Sequence, residues 1–425
     1  MTKHAVLSPS GFKALMLCPG KPAMEMDLPD SSSKYADEGT AAHFLAAWCL
    51  TQERAPTEFL GRGITVNGEA TWAREKRDAN TFEVTEEMTE SVQTYIDTIA
   101  VHRIDGGQMS VEVAVPLSHI TGEKGATGTA DVVVIRGTEM IVGDFKYGRG
   151  VEVDAKDNPQ LKLYALGALH DLDLVGDIET CRVFISQPRI NPVASEWSYT
   201  VAELKAWAAN EAATASDLAW DAIQAAKGGT VPDVYLRPAA DACRFCRAKA
   251  SCPKLAQYVS DSIEAEFTDL TTTDATARAE LVSTRVNAAE QHLGAKLDAV
   301  EVIELWCKAI RARVEARLLE GVPVAGYKLV NGRRDARTWT DAHEVEQTFK
   351  SMRLKQEEMF DFSLISPTTA EKRLKDQPKR WARVSALITQ PEGKPSVAPV
   401  SDKRAAIDLK AIESEITNIL VDDLV

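Results

Sequence analysis

Apolar and polar positions along the chain follow two periods, and the switches between them delimit a succession of elements. Residues 7–20 open on the helix-initiating Ser8-Pro9-Ser10 and stop at Pro19-Gly20, so a short helix ends beside Cys18. Residues 36–51 have helical spacing, as do residues 82–101 through Met88, Val92, Tyr95, Ile96 and Ile99. Between them, residues 55–80 are polar and contain glycine, which reads as a loop or lid. Residues 109–116 alternate through Val111, Val113 and Val115 as a strand carrying Glu112. Two β-branched runs follow, 129–135 and 141–147, joined by the polar turn Arg136-Gly-Thr-Glu139, which predicts an antiparallel hairpin. Residues 159–170 read as helix, 181–186 as a short apolar strand and 201–227 as an alanine-rich helix. The order helix, three strands, helix, strand predicts an α/β protein with an αβββαβ core, helical additions and a C-terminal helical region.

The C-terminal third has a different pattern. Residues 274–321 read as long helices with an apolar stripe through Val282, Val286, Ala289, Leu293, Leu297, Val300 and Ile303, continued by Trp306, Ile310 and Val314. Such a stripe is a core face or a self-association seam. Residues 327–339 read as a hairpin turning at Asn331-Gly332, in which Lys328, Arg333, Arg334 and Arg337 face one acid, Asp335. That composition suits contact with a phosphate backbone and equally suits a solvated strand pair. Residues 390–402, rich in Pro, Gly and Ser, read as a linker before a short helix from Ala405. The resulting segments are 1–260, 261–390 and 391–425.

Composition narrows the classes. A chain of 425 residues with 44% hydrophobic content buries a sizeable core in two or three units. Its net charge of −14 argues against a polyanion binder held by overall field, so any nucleic-acid contact rests on local basic patches. The first residues lack the apolar core of a signal peptide, and no apolar run approaches the roughly 20 residues of a membrane span, which predicts a cytoplasmic protein without a membrane partner. Seven unevenly spaced cysteines do not suggest a disulfide framework. Three of them form Cys243-x2-Cys246-x5-Cys252, one ligand short of a tetrahedral site, and Cys18, which also precedes a proline, is the natural fourth. Spacing leaves zinc and an iron–sulfur cluster both open. Cys49, Cys181 and Cys307 lie in apolar surroundings and read as inert core thiols. Around the triplet, Arg237, Arg244, Arg247, Lys249 and Lys254 outnumber Asp233 and Asp241, and with Arg149 they mark a basic track for nucleic acid.

The chemistry concentrates on the hairpin. Residues two apart on a strand share a face, so Asp144 and Lys146 project together while Phe145 points the other way, and Asp131 reaches the same surface from the neighbouring strand. A cross-strand salt bridge is the plain reading. Both acids, however, interrupt runs that look buried, where a carboxylate is costly without a compensating cation. Hard oxygen ligands of this kind suit Mg²⁺ or Mn²⁺. Glu112 reads as a solvated edge-strand acid outside that set. Gly39 and His43 stand one turn apart on a helix, with the glycine read as permitting close approach.

Taken in order, Gly39-x3-His43, Gly128-x2-Asp131, Asp144-x-Lys146 and Gln160-x3-Tyr164 resemble the motif series of RecB-like nucleases in the PD-(D/E)XK (restriction-endonuclease-like) superfamily, over roughly residues 35–190. Each motif alone is weak; four in order around the expected elements are specific. The resemblance implies a divalent ion on His43, Asp131, Asp144 and the Phe145 carbonyl, with Lys146 orienting the attacking water and Gln160 and Tyr164 positioning the strand to be cut. A distant N-terminal cysteine closing a C-terminal triplet is similar to AddB-type and CRISPR-associated members, which implies a [4Fe-4S] cluster on Cys18, Cys243, Cys246 and Cys252, with Zn²⁺ the alternative. The C-terminal third is similar to the region appended to phage-encoded exonucleases of this type. The expected function is therefore a metal-dependent DNA exonuclease in phage or prophage DNA recombination and processing, partnered by a single-strand annealing or binding protein. No Gly-x4-Gly-Lys-Ser/Thr motor motif is present. The alternative is a catalytically weak iron–sulfur DNA-binding scaffold or recombination accessory protein.

Overall fold

In a computed structural model, the described residues are 5–29, 33–74, 79–104, 106–172, 177–264, 293–332, 337–360, 364–390, 393–399 and 404–407. Two units emerge, Met1–Trp306 and Cys307–Val425, where the sequence suggests three segments.

The N-terminal unit starts with the short helices α1 (Phe12–Leu17) and α2 (Lys21–Glu25). Helix α3 (Lys34–Gln52) follows, its first turn capped by the Ser33 hydroxyl, which accepts from the Ala36 N–H. The expected loop or lid at 55–80 instead contains two strands, β1 (Gly63–Asn67) and β2 (Glu69–Trp72), which with the following β3 (Thr81–Glu83) form a small antiparallel sheet in the order β2-β1-β3. Its signal is the buried pair Ile64 and Val66 leading into Asn67-Gly68, where Gly68 takes the turn at φ +81°. Helix α4 (Glu86–His102) starts four residues later than expected because the Thr85 side chain caps it, leaving Phe82 in β3.

The main sheet then runs β4 (Gln108–Pro116), β5 (Thr127–Arg136) and β6 (Glu139–Phe145), with the one-turn α5 (Ser118–Thr121) after β4. The predicted hairpin is present, tightened to Gly137-Thr138 with Arg136 paired to Glu139 and Gly137 at φ +59°. Helix α6 (Pro159–Leu172) carries the chain across to β7 (Thr180–Gln187), parallel to β6, and β8 (Asn191–Thr200) pairs antiparallel at the far edge. Helix α7 (Val201–Trp207) passes through a π-helical turn at Ala208–Ala212 into α8 (Ala213–Ala226). The five strands lie in sequence order, a mixed sheet in a mixed α/β architecture.

Burial on both sheet faces explains the near-continuous apolar runs of β5 and β6. One face packs Ala130, Val133, Val142 and Ile185 against α1, α6 and α7 through Leu15, Leu161, Ala165 and Leu204. The other packs Val132, Val134, Ile141 and Phe184 against α3 and α4 through Leu45, Tyr95 and Ile99. Gly143 is required there, since a Cβ would lie 2.1 Å from the Phe184 ring.

After α9 (Ala240–Cys243) and α10 (Pro253–Glu264) comes the long α11 (Leu293–Leu319); residues 274–292 of the expected helical stripe lie outside the described residues. Along α11 the buried positions are Ala299, Val302 and Ala309, whereas Leu297 and Val300 of the stripe are exposed. The face is set by Val302 packing on Cys243 and Leu255.

In the C-terminal unit the expected hairpin at 327–339 is not formed. Strand β9 (Tyr327–Gly332) pairs with residues 393–399 and β10 (Thr338–Trp339) pairs with 388–389, while Arg333, Arg334 and Asp335 lie outside the described residues. Between them come α12 (Ala342–Ser351), α13 (Gln356–Met359), α14 (Pro367–Arg373) and α15 (Pro378–Ser385), around Val345, Phe349, Leu374 and Val384. The returning strands are β11 (Ile388–Thr389) and β12 (Gly393–Pro399), so much of the expected linker is sheet. Pro395 is tolerated because the register is irregular between Gly393 and Pro395. The expected final helix begins as coil through Ile407, and the rest lies outside the described residues. Among the described residues no helix is long and apolar enough to cross a membrane.

Candidate functional site

The site grows from an irregularity shared by β4 and β5. In a regular strand, residues two apart share a face. Here Val111 packs on the α3/α4 side and Val113 on the α6 side; on the partner strand Val132 and Ala130 divide in the same way. The crossover falls at Glu112, which adopts the left-handed φ of +52°, and at Asp131 opposite it. Both carboxylates are thus freed from the pleat.

Helix α3 brings His43 to the same point, with Nδ1 3.3 Å from Asp131 Oδ1. The other Asp131 oxygen accepts the Phe145 N–H at 2.7 Å. Asp144 and Lys146 do share a face: Lys146 Nζ lies 3.2 Å from Asp144 Oδ1 and 2.9 Å from Oδ2. Gln160 ties them together, accepting from Lys146 Nζ at 3.2 Å and donating to Asp144 Oδ1 at 2.9 Å and to the Tyr164 hydroxyl at 3.1 Å. It is aimed by its place in the first turn of α6, where Asn158 Oδ1 accepts the Gln160 and Leu161 N–H groups. Gly128 is explained by Tyr164, because a Cβ would lie 3.0 Å from its ring and 3.0 Å from Pro9. At Gly39 the expectation fails: a Cβ there would meet nothing within 4 Å.

The expected residues therefore gather at one end of the sheet, but in two subsets. Asp144, Lys146, Gln160 and Tyr164 form one hydrogen-bonded network. Among the described residues, one group of three or more His, Cys, Asp and Glu side chains has ligand atoms all within 4.8 Å of one another, and it is His43, Glu112 and Asp131. Glu112 is exposed on the edge strand, as expected, and its carboxylate nevertheless comes within 4.8 Å of the ligand atoms of His43 and Asp131. Its signal was available: it stands opposite Asp131 once strand pairing is assigned.

Electrostatics mark the site as overcharged. Burial raises the Asp144 pKa and Asp131 adds to it, against the pull of Lys146, so the net direction is up. Burial, then Asp131, raises that of Glu112 as well. Burial works against the charged form of Asp131 too, but His43 and the Phe145 N–H outweigh it and hold this carboxyl low. For His43 burial is opposed by Asp131 and Asp144, which bring it up to about 9. Three carboxylates against one lysine and one imidazole make a setting that a dication relieves.

The cysteine lobe forms by chain-end closure. Cys18 caps α1, and its Sγ accepts the Arg237 N–H at 3.4 Å. Gly20 fits against residues 235–236, where a Cβ would lie 2.6 Å from Leu236, and its N–H donates to the Tyr235 carbonyl. Cys18, Cys243, Cys246 and Cys252 all line one small cavity with Leu236, Lys249 and Leu255. Burial raises the thiol pKa values of Cys243 and Cys252 and pushes Cys246 up to about 12, so thiolates here need a cation. Cys49 and Cys181 are buried, as expected of core thiols, and Cys307 is half-buried.

Five of the basic residues expected to form a track are engaged internally. Arg149 pairs with Glu87, Arg244 with Glu301 at 2.6 Å and Lys254 with Asp233 at 3.4 Å. The Arg247 guanidinium donates to the Leu28 and Pro29 carbonyls, and Lys249 to that of Arg244. In this lobe they fasten one segment to another.

A family profile described as a protein of unknown function (DUF2800) matches residues 4–405, and the chain belongs to that family.

Proposed function

We propose that the chain is a RecB-like deoxyribonuclease of the PD-(D/E)XK type, a Mg²⁺- or Mn²⁺-dependent exonuclease carrying a [4Fe-4S] cluster. The observation that carries this reading is the Gln160 bridge: Lys146 and Asp144 from a strand, and Tyr164 from a helix, meet through one side chain beside Asp131 and His43. The succession α4-β4-α5-β5-β6-α6-β7, with α5 a single turn, supports the reading, since the motif series calls for an αβββαβ order.

The donor set fits a divalent cation. Asp144 Oδ2 is buried and, apart from its ion-pair contact with Lys146, accepts no hydrogen bond, and His43, Asp131 and the Phe145 carbonyl are the further donors that the motif series assigns to a dication. Bound there, a dication supplies charge neutralisation and a lowered pKa for water. The chain's own residues do the rest. Lys146, raised in pKa by Asp144 against the effect of burial, stays cationic to stabilise charge on the phosphate oxygens. Gln160 fixes that ammonium in place, and Tyr164 fixes Gln160.

Four thiols lining one cavity, Cys243 buried and Cys18, Cys246 and Cys252 half-buried, support the second cofactor. The same four thiols suit a [4Fe-4S] cluster or, as the alternative, tetrahedral Zn²⁺. The test is release of label from end-labelled linear DNA by anaerobically purified protein with Mg²⁺ or Mn²⁺. Asp144→Asn is expected to abolish it; equal cleavage by that variant sinks the assignment.

A further inference from the structure

β8 is the open edge of the main sheet. Among the described residues its ten positions, Asn191–Thr200, pair with β7 alone, and most are exposed, Val193 by 73% and Trp197 by 40%. Native edge strands are commonly short, charged or covered, because their unpaired N–H and C=O groups accept another strand. Here Pro192 blunts only the first positions. Two hollows follow one another along this strand. The smaller, about 100 Å³, is lined by Glu152, Val153, Val193 and Ser195. The larger, about 470 Å³, has Trp197, Tyr199 and Trp207 as its aromatic walls, with Glu203 and Glu211 among its polar residues. Both border the segment 152–157, whose Ala155 N–H donates to Ser195 Oγ at 3.0 Å and whose Asp157 N–H donates to the Tyr199 hydroxyl at 2.8 Å. They flank residues 193–195 and 197–199, about 13 Å apart along an extended chain, the spacing of side chains i and i+4 on one face of a strand.

The larger hollow is built to receive cations. The buried Lys162 ammonium lies 3.1 Å from Asp157 Oδ1 and 5.1 and 5.2 Å from the ring centroids of Tyr199 and Trp207. On the outside, Lys156 stands 4.6 Å from the Trp197 ring centroid and forms no ion pair among the described residues. Glu203 is committed to capping α7, accepting the Thr200 N–H at 2.7 Å, whereas Glu211, on the π-helical turn, has no hydrogen bond or ion pair among the described residues. An aromatic face beside a carboxylate suits a guanidinium, which stacks on the one and pairs with the other. We propose that the β8 edge takes an extended basic segment of a partner protein as a sixth strand of the sheet. One arginine of that segment stacks on Trp197 in place of Lys156 and pairs with Glu211, and a small apolar side chain four positions away enters the smaller hollow. Nucleic acid is the wrong occupant, since Glu152, Asp157, Glu203 and Glu211 repel a phosphate backbone. This surface does not depend on the nuclease reading.

Binding is measured by calorimetric titration of the full chain with two blocked peptides, acetyl-Thr-Val-Thr-Val-Thr-Arg-Thr-amide and the reversed sequence, because an added strand can run in either direction. Each carries a valine and an arginine four positions apart. One of the two is expected to bind with a Kd below about 1 mM. Exchanging its arginine for glutamate is expected to weaken binding by about tenfold or more. N-methylation of one alternate set of its amides should do the same while the other set is tolerated, the signature of main-chain pairing along one edge. In the protein, Trp197→Ala is expected to cost about tenfold and Glu211→Gln several-fold, with melting curves confirming that both variants are folded. The proposal is overturned if neither peptide binds, if the glutamate peptide binds as well as the arginine one, or if Trp197→Ala and Glu211→Gln both leave affinity unchanged. It is also overturned if an oligothymidylate, and neither peptide, binds in a Trp197-dependent way, which makes the hollow a base-stacking platform.

Discussion

The two candidate sites solve opposite problems. At the sheet edge, charged groups are paired before any cofactor arrives: Asp131 with His43, Asp144 with Lys146, and Gln160 between strand and helix. In the cysteine lobe, four thiols line a cavity, the ionised forms of Cys243, Cys246 and Cys252 disfavoured by burial, and they belong to segments more than 200 residues apart, Cys18 and Cys243 to Cys252. The first site is held by its own ion pairs, whereas the four thiols of the second have no such pairing among themselves and their segments are joined around the cavity by contacts such as those of Arg247 with Leu28 and Pro29. Removing the dication should therefore cost activity and little stability, and removing the cluster should cost stability first.

The largest effect expected is chemical. Asp144→Asn should lower DNA cleavage on the order of a thousandfold while moving the melting temperature little, since the amide keeps its bond to Gln160. A comparable loss of stability would erase the contrast between the sites. Next comes Cys246→Ser, expected to remove iron and sulfide from anaerobic preparations and to lower Tm on the order of 10 °C, as loss of a structural metal does. Stoichiometric zinc without iron contradicts the cluster.

A smaller effect is set by pH. The folded, metal-free pKa of His43 is raised to about 9 from 6.5. Its stabilising contribution is therefore fully present below about pH 6.5 and lost as pH rises through 9. In EDTA, Tm should fall by a few degrees across that window, and His43→Asn should flatten the fall. A wild-type curve already flat there removes the charged pair with Asp131.

How much of this the sequence disclosed differs between the units. The αβββαβ succession was legible because β5 and β6 are buried on both faces and carry unbroken β-branched runs. The motif residues could be read because they interrupt those runs. The approach of Glu112 to Asp131 could be read only once strand pairing is assigned, since it depends on a left-handed residue in a strand that a one-dimensional alternation does not encode. The small sheet at Gly63–Trp72 was overlooked because short polar strands look like loops, although Asn67-Gly68 announced the turn. In the C-terminal unit, Asn331-Gly332 gave a false hairpin: β9 finds its partner in β12, some 60 residues on, and local turn chemistry is silent on non-local pairing.

The smallest effect concerns DNA binding by an acidic chain. With Arg244 and Arg247 engaged internally, Arg333 and Arg334 are the sequence's further candidates for phosphate contact. Replacing both with alanine should lower the slope of log affinity against log salt by at most about two. An unchanged slope confines binding to the nuclease core.

The most direct measurement of the central claim compares linear with covalently closed circular DNA of the same sequence, incubated with anaerobically purified protein and Mg²⁺ or Mn²⁺. The nuclease assignment predicts that linear DNA is degraded from its ends in both strand-labelling schemes that expose the active polarity, that circles persist, and that EDTA or Asp144→Asn stops the reaction. Equal attack on circles contradicts exonuclease action, and intact linear DNA under every metal contradicts the nuclease itself.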